Sequence, residues 1–119
     1  MAATPEAKVK DKIKKLLKKY GAYYTMPVMT GYATNGTPDF AICHYGRYLG
    51  LEAKAGDGVP TALQWVRLAE IDAAGGSTLV INEMNLGDLE RWLETPQARV
   101  GVAKCTAKGT KAKWIHAWS

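Results

Sequence analysis

The feature that most constrains this chain is a pair of strand-like stretches, 38–44 and 47–54, separated only by Tyr45-Gly46. Two residues suffice to turn a chain back into an antiparallel hairpin, whereas a parallel pairing needs a long crossover. A hairpin on this turn sets His44 against Arg47, Ile42 against Leu49, Phe40 against Leu51 and Asp39 against Glu52. One face of the pair then collects Phe40, Ile42, Leu49 and Leu51. The other carries Asp39, Ala41, Cys43, Gly50, Glu52 and Lys54, with small residues beside the charged ones. Tyr-Gly is not the usual composition of a primed two-residue turn, so a bulged three-residue loop, which shifts the register by one, is the competing arrangement.

Elements flank this hairpin on both sides. Thr4-Pro5 reads as a helix start, with threonine as cap and proline in the first turn. Val9, Ile13, Leu16, Leu17 and Tyr20 recur at helical spacing until Gly21 ends the run. A short strand is expected around Ala22–Met26, followed by a loop through Pro27, Gly31 and Gly36. Beyond the hairpin, a second helix is expected from Thr61 to Ala74, closed by Gly75-Gly76. A buried strand over Ser77–Ile81 and a third short helix over Leu86–Leu93 follow. The tail, 95–119, is rich in Gly, Thr and Trp and suggests a hairpin near Lys108-Gly109. Helix, three strands, helix, strand is the order of an α/β domain with a mixed sheet, and 119 residues suit one such domain.

Charge is unevenly spread along the chain. Residues 1–20 carry seven lysines against Glu6 and Asp11, a net +5; residues 95–119 carry five basic residues and no acid, again +5. Between them, 21–94 hold four basic and nine acidic residues, a net −5. Basic flanks around an acidic middle suit a protein that holds phosphate at its edges and metal at its centre, although solvated lysines give the same composition. Lys8, Lys12, Lys15 and Lys19 line one flank of the first helix; Lys10, Lys14 and Lys18 line the other. Cys43 and Cys105 match no metal-ligand spacing, and there is neither a long apolar run nor a secretory-type N-terminus. The expectation is a reduced, intracellular protein that does not enter membranes.

The chemistry lies on the polar face of the hairpin. Two carboxylates directly across a sheet repel one another, and a hard divalent cation with oxygen ligands offsets that repulsion. Lys54, two residues beyond Glu52, falls on the same face. Its ammonium there would orient an attacking water or stabilise charge on a phosphate. The bland alternative is a surface Glu–Lys pair beside an unrelated aspartate. Glu6 shares the stripe of Val9, Ile13, Leu16 and Tyr20 at the first turn of its helix, where it would meet a cation or simply complement the helix dipole. Gln64 shares a stripe with Leu68 and Ile71, but Thr61-x-x-Gln64 is also a capping box that only closes the helix start. His44 and His116 read as packing or surface residues. Trp114 and Trp118 would stack on unpaired bases, fill a core or form a subunit contact. Asp57 reads as loop, and Tyr32 and Asn35, in the Gly-bounded loop before Asp39, could touch a substrate but are given no role.

Gly36-Thr37-Pro38-Asp39, Leu51-Glu52-Ala53-Lys54 and Thr61-Ala62-Leu63-Gln64, in this order, resemble the PD-(D/E)xK nuclease superfamily. More narrowly they resemble the virus-type replication-repair nuclease (VRR-NUC) domain, over roughly residues 5–82. The resemblance implies a restriction-endonuclease-like αβββαβ core within residues 1–94, with 95–119 as a basic extension of the same domain. It implies Mg²⁺ or Mn²⁺ held by Asp39, Glu52 and the Ala53 carbonyl, with Lys54 catalytic. It further implies an acid from the first helix, matched by Glu6, and a glutamine after the third strand, matched by Gln64.

The expected activity is metal-dependent hydrolysis of DNA by an endonuclease selective for branched structure, a Holliday junction or a flap. The expected setting is DNA repair in the cytoplasm of a bacterial or phage-infected cell. A homodimer is expected, because a two-fold pair of sites suits symmetric cuts in a junction and no sequence-reading motif is present. The rival reading is a DNA-binding module on a nuclease-like fold that no longer cuts. Such a protein is expected to have lost one of Asp39, Glu52 or Lys54, and all three are here. An oligomeric structural protein would leave the paired carboxylates and terminal lysines unexplained.

Overall fold

In a computed structural model, which describes residues 3–28 and 35–94, the hairpin forms on the two-residue turn. Strand β2 (Phe40–His44) pairs antiparallel with β3 (Arg47–Ala53), with Phe40 opposite Leu51, Ile42 opposite Leu49 and His44 opposite Arg47. Tyr45 and Gly46 both adopt positive φ, 51° and 78°, as a primed turn requires. Left-handed backbone is unfavourable for tyrosine. Its ring lies edge-on to His44, with centroids 4.6 Å apart, an attraction that helps hold the turn.

Helix α1 (Pro5–Lys19) starts where expected: Thr4 Oγ1 accepts the Ala7 N–H at 3.1 Å, and Pro5 occupies the first turn. Strand β1 (Tyr23–Thr25) pairs antiparallel with β2, Tyr24 facing Ile42. Helix α2 (Ala62–Ala73) carries the chain back to β4 (Ser77–Ile81), which pairs parallel with β3, and helix α3 (Leu86–Glu94) follows. The result is a four-stranded mixed sheet in the order β1-β2-β3-β4, flanked by three helices: an α/β fold.

The two faces of the sheet differ in what covers them. Val9, Ile13 and Leu17 of α1 and Leu89 and Leu93 of α3 bury themselves against Phe40, Ile42, Leu49, Leu51 and Ile81. The opposite face, carrying Gly50 and Glu52, receives α2. A Cβ on Gly50 would stand 2.5 Å from Ile71 Cδ1, so any larger residue here would have to displace the end of that isoleucine. Within β4 only Ile81 is fully buried, unlike the buried strand expected, because among the described residues β4 is an edge of the sheet with a neighbour on one side. His44 is buried, its Nε2 3.1 Å from the Leu93 carbonyl, so of the two roles open to it, packing or surface, it takes the first. No helix of the described residues is long and apolar enough to cross a membrane. The expected tail hairpin, His116, Trp114, Trp118 and Tyr32 fall outside the described residues.

Candidate active site

Asp39 stands one residue before β2, and Glu52 is the sixth residue of β3. The two are locked by a reciprocal pair of side-chain-to-backbone hydrogen bonds. The Asp39 N–H donates to Glu52 Oε1 at 3.2 Å, and the Ala53 N–H donates to Asp39 Oδ2 at 2.8 Å. The ladder alone would place these carboxylates side by side; the clamp fixes which oxygens remain. Those are Asp39 Oδ1 and Glu52 Oε2.

Glu52 is 1% exposed, and its Oε2 has no hydrogen-bond partner among the described residues. Lys54 Nζ lies 4.0 Å from that oxygen, beyond hydrogen-bonding distance, and its side chain is largely covered. Lys54 extends the pairing with β4 by one further bond, its N–H donating to the Ile81 carbonyl at 2.9 Å, which fixes the stem of this lysine beside Glu52. Burial pushes the Glu52 carboxyl up to about 8. Hydrogen bonding with the Asp39 carboxyl and its charge push in the same direction, against the opposing pull of Lys54 and the Asp39 N–H.

Asp39 Oδ1 faces a cation that the sequence did not single out. Lys10 Nζ lies 3.5 Å from Asp39 Oδ1 and 3.5 Å from Glu6 Oε2. Glu6 therefore joins the cluster through Lys10 rather than by touching Asp39. The spacing of Glu6 and Lys10, four apart on one helix, was visible as an ordinary surface pair; that Lys10 reaches the strand acids was not. Gln64 is engaged at the start of α2. Its Oε1 accepts the Thr61 N–H at 2.9 Å while its own N–H donates to Thr61 Oγ1 at 3.2 Å, so both halves of the capping box form. Asn35 is exposed, and its carbonyl accepts from Arg67 Nε at 3.0 Å. Asp57 is an exposed turn residue.

The donors at this site are oxygens, the kind a hard divalent cation takes. Among the described residues no three His, Cys, Asp or Glu side chains converge as a ready-made metal cage. Two carboxylates clamped to each other's backbone, one of them buried with an orphaned oxygen, would nevertheless be the small oxygen-donor set of a cation that keeps much of its water. The Ala53 carbonyl, the third donor implied by the family resemblance, belongs to the same stretch of β3.

No protein-family model, no curated protein and no solved structure matches the chain. The fold and this cluster therefore carry the functional reading unaided.

Proposed function

We propose that this chain is a divalent-metal-dependent DNA endonuclease of the PD-(D/E)xK type, with Asp39, Glu52 and Lys54 as its catalytic centre. The observation that carries the proposal is the buried, unpartnered Oε2 of Glu52, held against a second carboxylate and beside a covered lysine. A fold gains nothing in stability from two clamped acids, one of them buried with an unsatisfied oxygen. A reaction centre gains a site for a cation. Strongly shifted acids of this kind gather at functional sites.

Asp39 and Glu52, with the Ala53 carbonyl, would hold Mg²⁺ or Mn²⁺. When bound, the cation supplies a polarised water and neutralises charge at the scissile phosphate. Lys54, fixed by β3 on the same face, orients the attacking water and stabilises negative charge on the phosphoryl oxygens as the P–O bond breaks. Glu6 holds Lys10 at the edge of this cluster. The lysines of α1 supply phosphate contacts: Lys8, Lys12, Lys15, Lys18 and Lys19 are exposed. Such contacts position DNA without reading its sequence. Selectivity would then come from DNA shape, which favours branched substrates and a homodimer that places two sites on one junction.

The test is incubation with labelled linear, flap and four-way DNAs, with and without Mg²⁺ or Mn²⁺. Cleavage that needs metal, and that Asp39→Ala, Glu52→Ala and Lys54→Ala each abolish in folded protein, is the expected outcome. A folded Asp39→Ala protein that cuts as fast as wild type overturns the site. Sedimentation with paired-strand cleavage of an immobile junction tests the dimer. A strict monomer that nicks only linear or flapped ends removes the dimer and leaves the nuclease.

A further inference from the structure

Each acid of the cluster gives one oxygen to the backbone clamp and presents the other to an ammonium group. Asp39 commits Oδ2 to the Ala53 N–H and faces Lys10 with Oδ1; Glu52 commits Oε1 to the Asp39 N–H and faces Lys54 with Oε2. The oxygens that a cation needs are therefore the ones that face the two lysines, Asp39 Oδ1 at 3.5 Å from Lys10 and Glu52 Oε2 at 4.0 Å from Lys54. Lys54 follows directly on β3, two residues after Glu52. Lys10 comes from a different element, twenty-nine residues before Asp39, and the other described ion pairs of α1 lysines with residues beyond Glu6 go to Asp11 and Glu90.

We infer that Lys10 is a built-in competitor for the divalent cation, an ammonium held over Asp39 Oδ1 by Glu6 that sets the metal concentration at which the site fills. This rests on the metal-site reading above and deepens it. The contacts suit a group that must leave. Both are 3.5 Å, longer than a charge-assisted hydrogen bond, and the Lys10 side chain is 27% exposed, so its flexible stem can carry the ammonium into solvent. Glu6, on the same helix face, holds the lysine near the cluster when it yields Asp39. A divalent cation arriving beside Asp39 meets a like charge at close range, and that repulsion weakens its binding until the lysine swings away.

A lysine that merely tied α1 to the sheet would affect stability and leave metal affinity alone. The two roles separate in a titration of the intact chain with Mn²⁺ in the absence of DNA, read by calorimetry and by the rise in melting temperature. Lys10→Met and Lys10→Gln should each fill at a Mn²⁺ concentration lower by at least about threefold, within the range expected for losing a partly exposed charge pair, while Lys10→Arg stays near wild type. Circular dichroism identifies which variants are folded, and either neutral variant suffices. A midpoint unchanged or raised in a folded neutral variant overturns the competitor role and leaves the metal site standing. Wild-type protein that binds no Mn²⁺ overturns the metal site itself, and the competitor role with it.

Discussion

Replacing Glu52 with glutamine should stabilise the metal-free protein, and by an amount that grows with pH. The carboxyl is 1% exposed and held up to about 8 by burial and by Asp39, whereas in the unfolded chain it titrates near its ordinary 4.5. Between those values the folded state keeps a proton that the unfolded state has lost, so folding takes up a proton and stability falls as pH rises. Each pH unit across that window removes about 1.4 kcal/mol, so the whole window is worth on the order of 5 kcal/mol and the part below pH 7 about 3 kcal/mol. The stabilisation conferred by the protonated acid is complete below about pH 4.5 and gone above pH 8. Glutamine has nothing to titrate, retains an oxygen for the Asp39 N–H and removes the repulsion between the acids. Because the two carboxyls interact closely, the proton belongs to the pair, and the measured midpoint describes both. Thermal melts in EDTA at half-unit steps from pH 5 to 8 provide the assay. Glu52→Gln should melt at least several degrees above wild type at pH 7 and near it at pH 5. Mn²⁺ should raise the wild type and leave the variant unmoved. Curves for the two proteins that run parallel across this range, or a variant less stable at pH 8, would refute the account of Glu52 as a strained buried acid.

Glu6→Gln distinguishes a working acid from a helix-end charge: holding the metal or a metal-bound water should lower turnover at least about tenfold on its loss, whereas a dipole role costs only about 0.3–1 kcal/mol of stability, so melting and turnover of this one variant separate them. Gln64→Ala should lose about 0.5–1 kcal/mol with the capping box, and cleavage falling well beyond that loss would add an active-site role to the cap. Gly50→Val should lower the melting temperature by pressing on Ile71, at an overpacking cost of about 1–3 kcal/mol, and a variant that melts with wild type would mean that α2 shifts freely over β3.

The hairpin was legible because its signals are local. Alternation of apolar and polar residues over a few positions dictates which side chains share a face, but Tyr45-Gly46 left a two-residue turn and a bulged loop both open until the backbone showed positive φ at both residues. The Thr4 and Thr61 caps were likewise written within three residues of the groups they bind. So the sequence alone places Asp39, Glu52 and Lys54 on one face and marks Gln64 as the far half of a capping box. The exposure of β4 was not legible, since Ser-Thr-Leu-Val-Ile has the same composition in the middle of a sheet as at its edge.

By itself the sequence determined the elements of residues 5–94, the caps at Thr4 and Thr61, and two candidate registers for the central hairpin, between which the fold decided. Only the tertiary structure decided what Asp39 and Glu52 experience. Packing of α2 over Gly50, on the face that carries Glu52, accompanies a carboxyl 1% exposed and pushed far above its usual range. The approach of α1 brought Lys10 to an aspartate twenty-nine residues away and made Glu6 its anchor instead of a direct neighbour of Asp39. The physical reason is range. Backbone preference and side-chain alternation act over a few residues of chain, whereas desolvation and the Coulomb field depend on whatever the completed fold places within a few ångströms.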